Sequence, residues 1–92
     1  MPEQRHFVAE SYAREEAAES SARAARAAAA LNRRGRPIRH VWSLAAPEEE
    51  LCLHLFEAGS PELVAEVAVE ARLAFDRIWP AVPLTSHERR RT

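Results

Sequence analysis

The run Leu51-Cys52-Leu53-His54-Leu55-Phe56-Glu57, followed at once by Ala58-Gly59-Ser60-Pro61-Glu62, decides how this chain folds. Its first half alternates Leu with other residues, the period of a strand whose successive side chains point to opposite faces. Its second half carries the signals of a helix start: Ser60 as N-cap, Pro61 at the first helical position and Glu62 in the first turn. Beyond it, Leu63, Val64, Val67, Ala68 and Ala71 recur at 3/4 spacing, while Glu62, Glu66 and Glu70 mark the opposite side. One face of that helix is core and the other is solvated.

Working backwards, Ile38 to Ala45 is a second β-rich run, joined to the first through Ala46-Pro47-Glu48-Glu49-Glu50. So short a connection with an early Pro predicts an antiparallel hairpin. Ahead of it, Asn32-Arg33-Arg34-Gly35-Arg36-Pro37 ends a long helix predicted over Ala13 to Leu31, a stretch of Ala, Glu and Arg without Gly or Pro. The apolar side of this helix is nearly all Ala, which buries little area but lets a helix sit close to a sheet. Arg5 to Tyr12 reads as a first strand, and Phe75 to Val82 as a last strand placed at a sheet edge by Pro80.

The order β-α-β-β-α-β predicts an α+β fold: a ferredoxin-like sandwich of a four-stranded antiparallel sheet with two helices on one face. Residues 1–82 form the single domain, and 83–92, with Arg89-Arg90-Arg91, form a polar tail. In this topology the first strand neighbours the third, and the second and fourth are the edges. The uncovered sheet face is expected to hold Phe56, Val8 and Trp42, too apolar for a monomer. Face-to-face pairing of two sheets, a homodimer of the dimeric α+β barrel type, answers this and encloses a cleft.

Composition narrows the function classes. The 92 residues carry a net charge of -1, and all 13 basic residues are Arg. No general attraction to nucleic acid or anionic lipid follows, so neither nucleic acid nor membrane is an expected partner. No apolar run approaches a membrane span, and Met1-Pro2-Glu3-Gln4 lacks the layout of a signal peptide, so the expected location is cytoplasmic. Cys52 is the lone cysteine, which rules out an internal disulfide and a Cys-rich zinc cage. No Gly-rich phosphate loop, GxSxG, HExxH or EF-hand pattern is present.

The residues able to carry chemistry are His6, Glu10, His40, Cys52 and His54, all on predicted strands. Neutral imidazole suits divalent transition metals, and a carboxylate or thiolate completes such a site. On the third strand Leu51, Leu53 and Leu55 claim the helix-covered face, which turns Cys52, His54 and Phe56 to the open side. His6, Val8, Glu10 and Tyr12 share one face of the first strand, with Phe7 and Ala9 on the other. His6 and Glu10 lie roughly 13 Å apart along that strand, too far for one ion to take both from one chain. For the second strand, loop parity decides whether His40 lies beside His54 or under the helices. Against these readings stands the ordinary one, in which a strand histidine is a packed or surface residue, Cys52 a small buried hydrophobe, and Trp42 and Trp79 packing residues.

Phe7-Val8-Ala9-Glu10, His40-Val41-Trp42-Ser43, Leu55-Phe56-Glu57-Ala58 leading into Ser60-Pro61-Glu62, and Phe75-Asp76-Arg77-Ile78 together resemble a family of small, largely actinobacterial, ferredoxin-like proteins that includes a nickel-binding member. The resemblance runs from about Phe7 to Ile78. The family's aromatic-Glu-Ala strand end is met by Phe56-Glu57-Ala58, and its histidine in the preceding strand by His40. Where the family carries Cys two residues before the aromatic, this chain has His54, with Cys52 two residues earlier. The resemblance implies a dimeric ferredoxin-like fold and nickel binding, and no particular reaction.

Two functional expectations result. In the first, the protein binds nickel or another divalent transition metal through His40 and His54, with Glu10 or His6, from this chain or from the partner chain, completing the shell. In the second it is a small cofactor-free enzyme of isomerase, cyclase or monooxygenase type. There His40 or His54 is the general acid/base, and Trp42, Phe56 and Cys52 line the pocket for an apolar organic ligand. A plain structural dimer with no site is the remaining reading.

Overall fold

The computed structural model describes residues 5–12 and 16–84. Its elements are β1 (Arg5–Tyr12), α1 (Ala17–Arg33), β2 (Ile38–Ala46), a 3-10 turn (Pro47–Glu49), β3 (Leu51–Ala58), α2 (Pro61–Ala71) and β4 (Arg77–Ala81). The sheet is antiparallel throughout and ordered β2-β3-β1-β4, so β2 and β4 are the edges and Pro80 sits on an edge as expected. The expected helix start at Ala13 and most of the polar tail, Arg89 to Arg91 included, lie outside the described residues.

The helix-start chemistry is realised locally. The Ser60 hydroxyl accepts a hydrogen bond from the Leu63 N–H at 3.4 Å, and Pro61 opens α2. Gly35 takes φ +86° just past α1, where a side chain would be strained. At the other end of α2, Arg72 is left-handed, and Arg23 of α1 reaches across to the terminal carbonyls. Its Nε and Nη2 donate to the Ala71 carbonyl at 3.1 and 2.7 Å, and Nη2 also donates to that of Arg72 at 2.9 Å. The helices are thus joined by charge-assisted bonds as well as by packing. Arg36 adds an exposed bidentate pair with Glu66 of α2.

The core lies between sheet and helices. It gathers Ala24, Ala27, Ala28 and Leu31 of α1, Leu63, Val64, Val67 and Ala71 of α2, and Phe7, Ala9, Ile38, Phe56 and Ala58 of the sheet. This overturns the expected orientation of β3. Cys52, His54, Phe56 and Ala58 face the helices, while Leu51, Leu53 and Leu55 lie on the open face. The reason is the neighbouring strand. Both sides of β3 are apolar, so its own alternation does not discriminate. On β1, however, Phe7 and Ala9 are the core pair, and they stand opposite Phe56 and His54. Phe56 therefore belongs to the core and not to the exposed face.

β2 follows neither parity. His40 stands opposite Phe56 and Trp42 opposite Leu55, so Val41 is an extra residue that shifts the register. Before this bulge the even residues Ile38 and His40 face the helices; after it the odd residues Ser43 and Ala45 do. β4 is shorter than expected. Phe75 packs against the core from outside the strand, and the Asp76 N–H donates to the Glu10 carbonyl at 2.7 Å, turning the chain into β4.

The open face carries an apolar row running through all four strands, Trp42, Leu55, Val8 and Trp79. Trp42 is 44% exposed, Leu44 58% and Tyr12 57%. Polar and charged groups flank this row: Arg39, Glu57 and His6 on one side, Glu10 and Arg77 on the other.

The all-Ala contact face of α1 sets a testable limit. Ala28 is fully enclosed between helix and sheet. Ala28→Leu is expected to lower unfolding stability by about 1–3 kcal/mol, because added methylenes must push α1 off the sheet. Urea unfolding of parent and variant measures it.

Candidate functional site

Because of the bulge, one point of the helix-covered face receives side chains from both strands of the hairpin. His40 and Ser43 come from β2 on either side of Val41, and His54 stands opposite Ser43 on β3. The Ser43 Oγ lies 2.9 Å from Nε2 of His40 and 2.7 Å from Nδ1 of His54, a continuous chain of three hydrogen-bonding groups. The two imidazole centroids are 6.3 Å apart. Phe56 stands edge-on to His40 at 5.5 Å, and Phe75 lies 5.6 Å from the His54 ring.

His54 is 0% exposed, and its Nε2 has no hydrogen-bond partner among the described residues. An unpaired buried polar atom costs on the order of 1–3 kcal/mol, so such atoms are rare unless they have a use. Burial and the nearby His40 push the His54 pKa down to about 4, and burial also lowers that of His40. Both rings are therefore neutral at pH 7, able to accept a proton or a ligand. Burial raises the Cys52 thiol in turn, which keeps it protonated and unreactive.

Two spaces adjoin this chain of groups, both between α1 and the hairpin. One, of about 270 Å³, is lined by Ala17, Ala18 and Ser21 of α1 together with Ser43, Ala45 and Cys52. The other, of about 360 Å³, is lined by His40, Ile38 and Arg39 with Ala25, Ala29, Asn32 and Arg33. Ser43 thus opens on the first and His40 on the second.

The expected site residues divide between the two faces. His40, His54, Cys52 and Phe56 come together under the helices, whereas His6, Glu10 and Trp42 lie on the open side. Glu10 is only 7% exposed, accepts a hydrogen bond from the Tyr12 hydroxyl at 2.9 Å and lies 3.8 Å from Arg77 Nε. His6 is 3.5 Å from Glu57, which also pairs with Arg39. Among the described residues no group of three or more His, Cys, Asp or Glu side chains is placed to hold a metal ion. The donor set expected for nickel is not assembled within one chain. Ser43 was missed by sequence reasoning. The only signal for it is its position three residues after His40, which matters only once the bulge is known.

No protein-family model and no curated protein matches the chain. Among solved structures it is similar to SCO4226 from Streptomyces coelicolor A3(2), with 23% identity and a TM-score of 0.66 over 87% of this chain and 98% of that one. The likeness establishes the ferredoxin-like α+β fold. No helix among the described residues is long and apolar enough to cross a membrane.

The depressed His54 pKa makes stability depend on pH in a definite direction. Below its ordinary value of 6.5 the unfolded state binds a proton that the folded state refuses until about pH 4. Stability is therefore expected to fall as pH drops from about 6.5 to 4, by at most about 1.4 kcal/mol per pH unit from this group. His40 adds a smaller term of the same sign. Urea unfolding at several pH values, in parent and His54→Phe, checks it: the variant should lose most of the slope.

Proposed function

We propose that the protein is a small cofactor-free acid–base enzyme, of isomerase, cyclase or monooxygenase type, acting on a compact apolar organic ligand beneath α1. The observation that carries this is the Ser43 hydroxyl held between two neutral imidazoles at the wall of a small cavity. A general base must be neutral at working pH and within hydrogen-bond reach of the proton it handles. His54 and His40 meet the first condition through burial. Ala17, Ala18, Ala45 and Cys52 make most of the wall apolar, with Ser21 and Ser43 as its polar groups, and about 270 Å³ is near the small end of ligand pockets. The reaction centre in this reading lies between sheet and helices, and not between two sheets.

The homodimer belongs to the same proposal. The Trp42–Leu55–Val8–Trp79 row, with Leu44 and Tyr12 beside it, is a self-complementary apolar strip flanked by both signs of charge. A second copy set face to face would cover Trp42 and Leu44 and place acid near base at the rim. Each protomer's own site is complete without it. A transition-metal role, nickel included, draws on the same imidazole pair and would need its further donors from a second copy; elemental analysis of untagged protein measures it. A cytoplasmic setting fits the free, buried Cys52.

Two measurements bear on the proposal. Light scattering at micromolar concentration should give about twice the 10.3 kDa chain mass, and Leu44→Glu should shift the value towards one. For the chemistry, a panel of small apolar carbonyl compounds with acidic α C–H bonds is incubated with the protein in D2O and followed by NMR. The parent should speed deuterium incorporation into at least one member, and His54→Phe should reduce that rate by about 100-fold or more. Equal rates with and without protein, or in parent and variant, overturn the acid–base reading.

A further inference from the structure

Along α1, Ala25, Ala29 and Arg33 stand at i, i+4 and i+8, so they share the side of the helix that faces the edge strand β2. Two methyl groups leave the helix surface low there, and a guanidinium follows them at its end. The result is the space of about 360 Å³, bounded on the β2 side by Ile38 and His40. Asn32 Nδ2 donates to the Ile38 carbonyl at 2.8 Å, which ties the end of α1 to the start of β2 beside this space.

Arg33 is the group here without an answer. The arginines around it all have acids: Arg34 pairs with Glu70, Arg36 with Glu66 and Arg39 with Glu57. Arg33, in the last turn of α1, has no hydrogen-bond or ion-pair partner among the described residues. The carbonyl end of a helix ordinarily repels an anion. At this end, however, the Leu31 carbonyl accepts from the N–H groups of Arg34 and Arg36, and the Asn32 carbonyl from that of Gly35. Much of the opposing partial charge is thereby spent within the chain.

His40 adds a neutral polar group to the same wall. Its Nε2 is engaged by Ser43 Oγ whichever of the two holds the proton between them, which leaves Nδ1 for a ligand, as donor or as acceptor. Burial keeps the ring uncharged at pH 7. The wall therefore holds one unbalanced positive charge, that of Arg33, next to an apolar floor.

We infer that this space binds a small apolar monocarboxylate, its carboxylate on Arg33 and its body against Ala25, Ala29 and Ile38, with His40 beside it. Guanidinium and carboxylate match in charge and in planar two-point geometry. A phosphate monoester would bring a second negative charge that nothing on the wall balances. The volume is near the small end of ligand pockets, room for one small molecule. The site rests on the acid–base function proposed above only for its use: there the acid is the substrate class, and His40, not the enclosed His54, is the ring that meets it.

Binding is tested without any turnover. Sodium benzoate and its neutral counterpart benzamide are titrated in turn into 15N-labelled protein at constant ionic strength and followed by amide shifts. Benzoate should shift Ala25, Ala29, Asn32 and His40 saturably, and benzamide should bind more weakly by about tenfold or more. Arg33→Gln should bring benzoate down to the level of benzamide, whereas Arg26→Gln, which removes the same charge from α1 outside this space, should leave it unchanged. Ala29→Trp, at an exposed helix position that tolerates a large side chain, should block both ligands. No saturable shift with benzoate, equal binding of the two ligands, or equal losses in Arg33→Gln and Arg26→Gln overturns the site. Benzoate bound as described while no member of the deuterium panel exchanges keeps the site and removes the enzyme reading; exchange in the panel without a benzoate shift does the reverse.

Discussion

One residue without a partner, Val41, governs the arrangement of everything around the hairpin. A strand of strict period 2 would send His40 and Ser43 to opposite faces of the sheet. With Val41 bulged out, both point under α1, and Trp42 and Leu44 are turned together to the open side. The same irregularity thus builds the buried polar chain and the exposed apolar strip. It also lies on an edge strand, where a local break in the ladder is least costly and makes the edge a poorer template for pairing with a foreign strand.

The interior that receives these groups is shallow. Ala24, Ala27 and Ala28 bring α1 close to the sheet, so the core there is thin and the two spaces beside His40 and Ser43 lie at its edge. Polar side chains placed there lose water and gain few partners. For His40 and His54 the result is neutrality, because neither ring finds a carboxylate to favour its charged form. Glu10, on the other face, is equally enclosed but has Tyr12 and Arg77 beside it. Two enclosed polar clusters therefore sit on opposite faces of one sheet.

Much of the fold was legible from local signals. The Ser60 cap, Pro61, the Gly35 stop and the Pro80 edge placement each depend on the chemistry of one or two residues, and each is found where the pattern predicted it. The faces were not legible to the same degree. β3 has Leu on one side and Cys, His, Phe and Ala on the other, and only pairing with Phe7 and Ala9 decides which side is core. Bulges leave no mark in the composition of a strand, so the meeting of His40 with Ser43 was hidden. His40 and His54 were picked out by residue type and do stand together, but on the covered face and with Glu10 and His6 on the far side.

The Arg23 clamp on the last carbonyls of α2 has a consequence for how the helical layer moves. Helix ends normally fray at little cost, each independently of its neighbours. Here fraying of α2 requires a guanidinium anchored in α1 to release two carbonyls, and Arg36–Glu66 repeats the link from the loop that follows α1. The two helices should consequently open as one cooperative unit, with similar hydrogen-exchange protection along both. A shift of α1 against the sheet then becomes a motion of the whole helical layer, tied to the breathing of α2, an element that lines neither of the spaces beside His40 and Ser43.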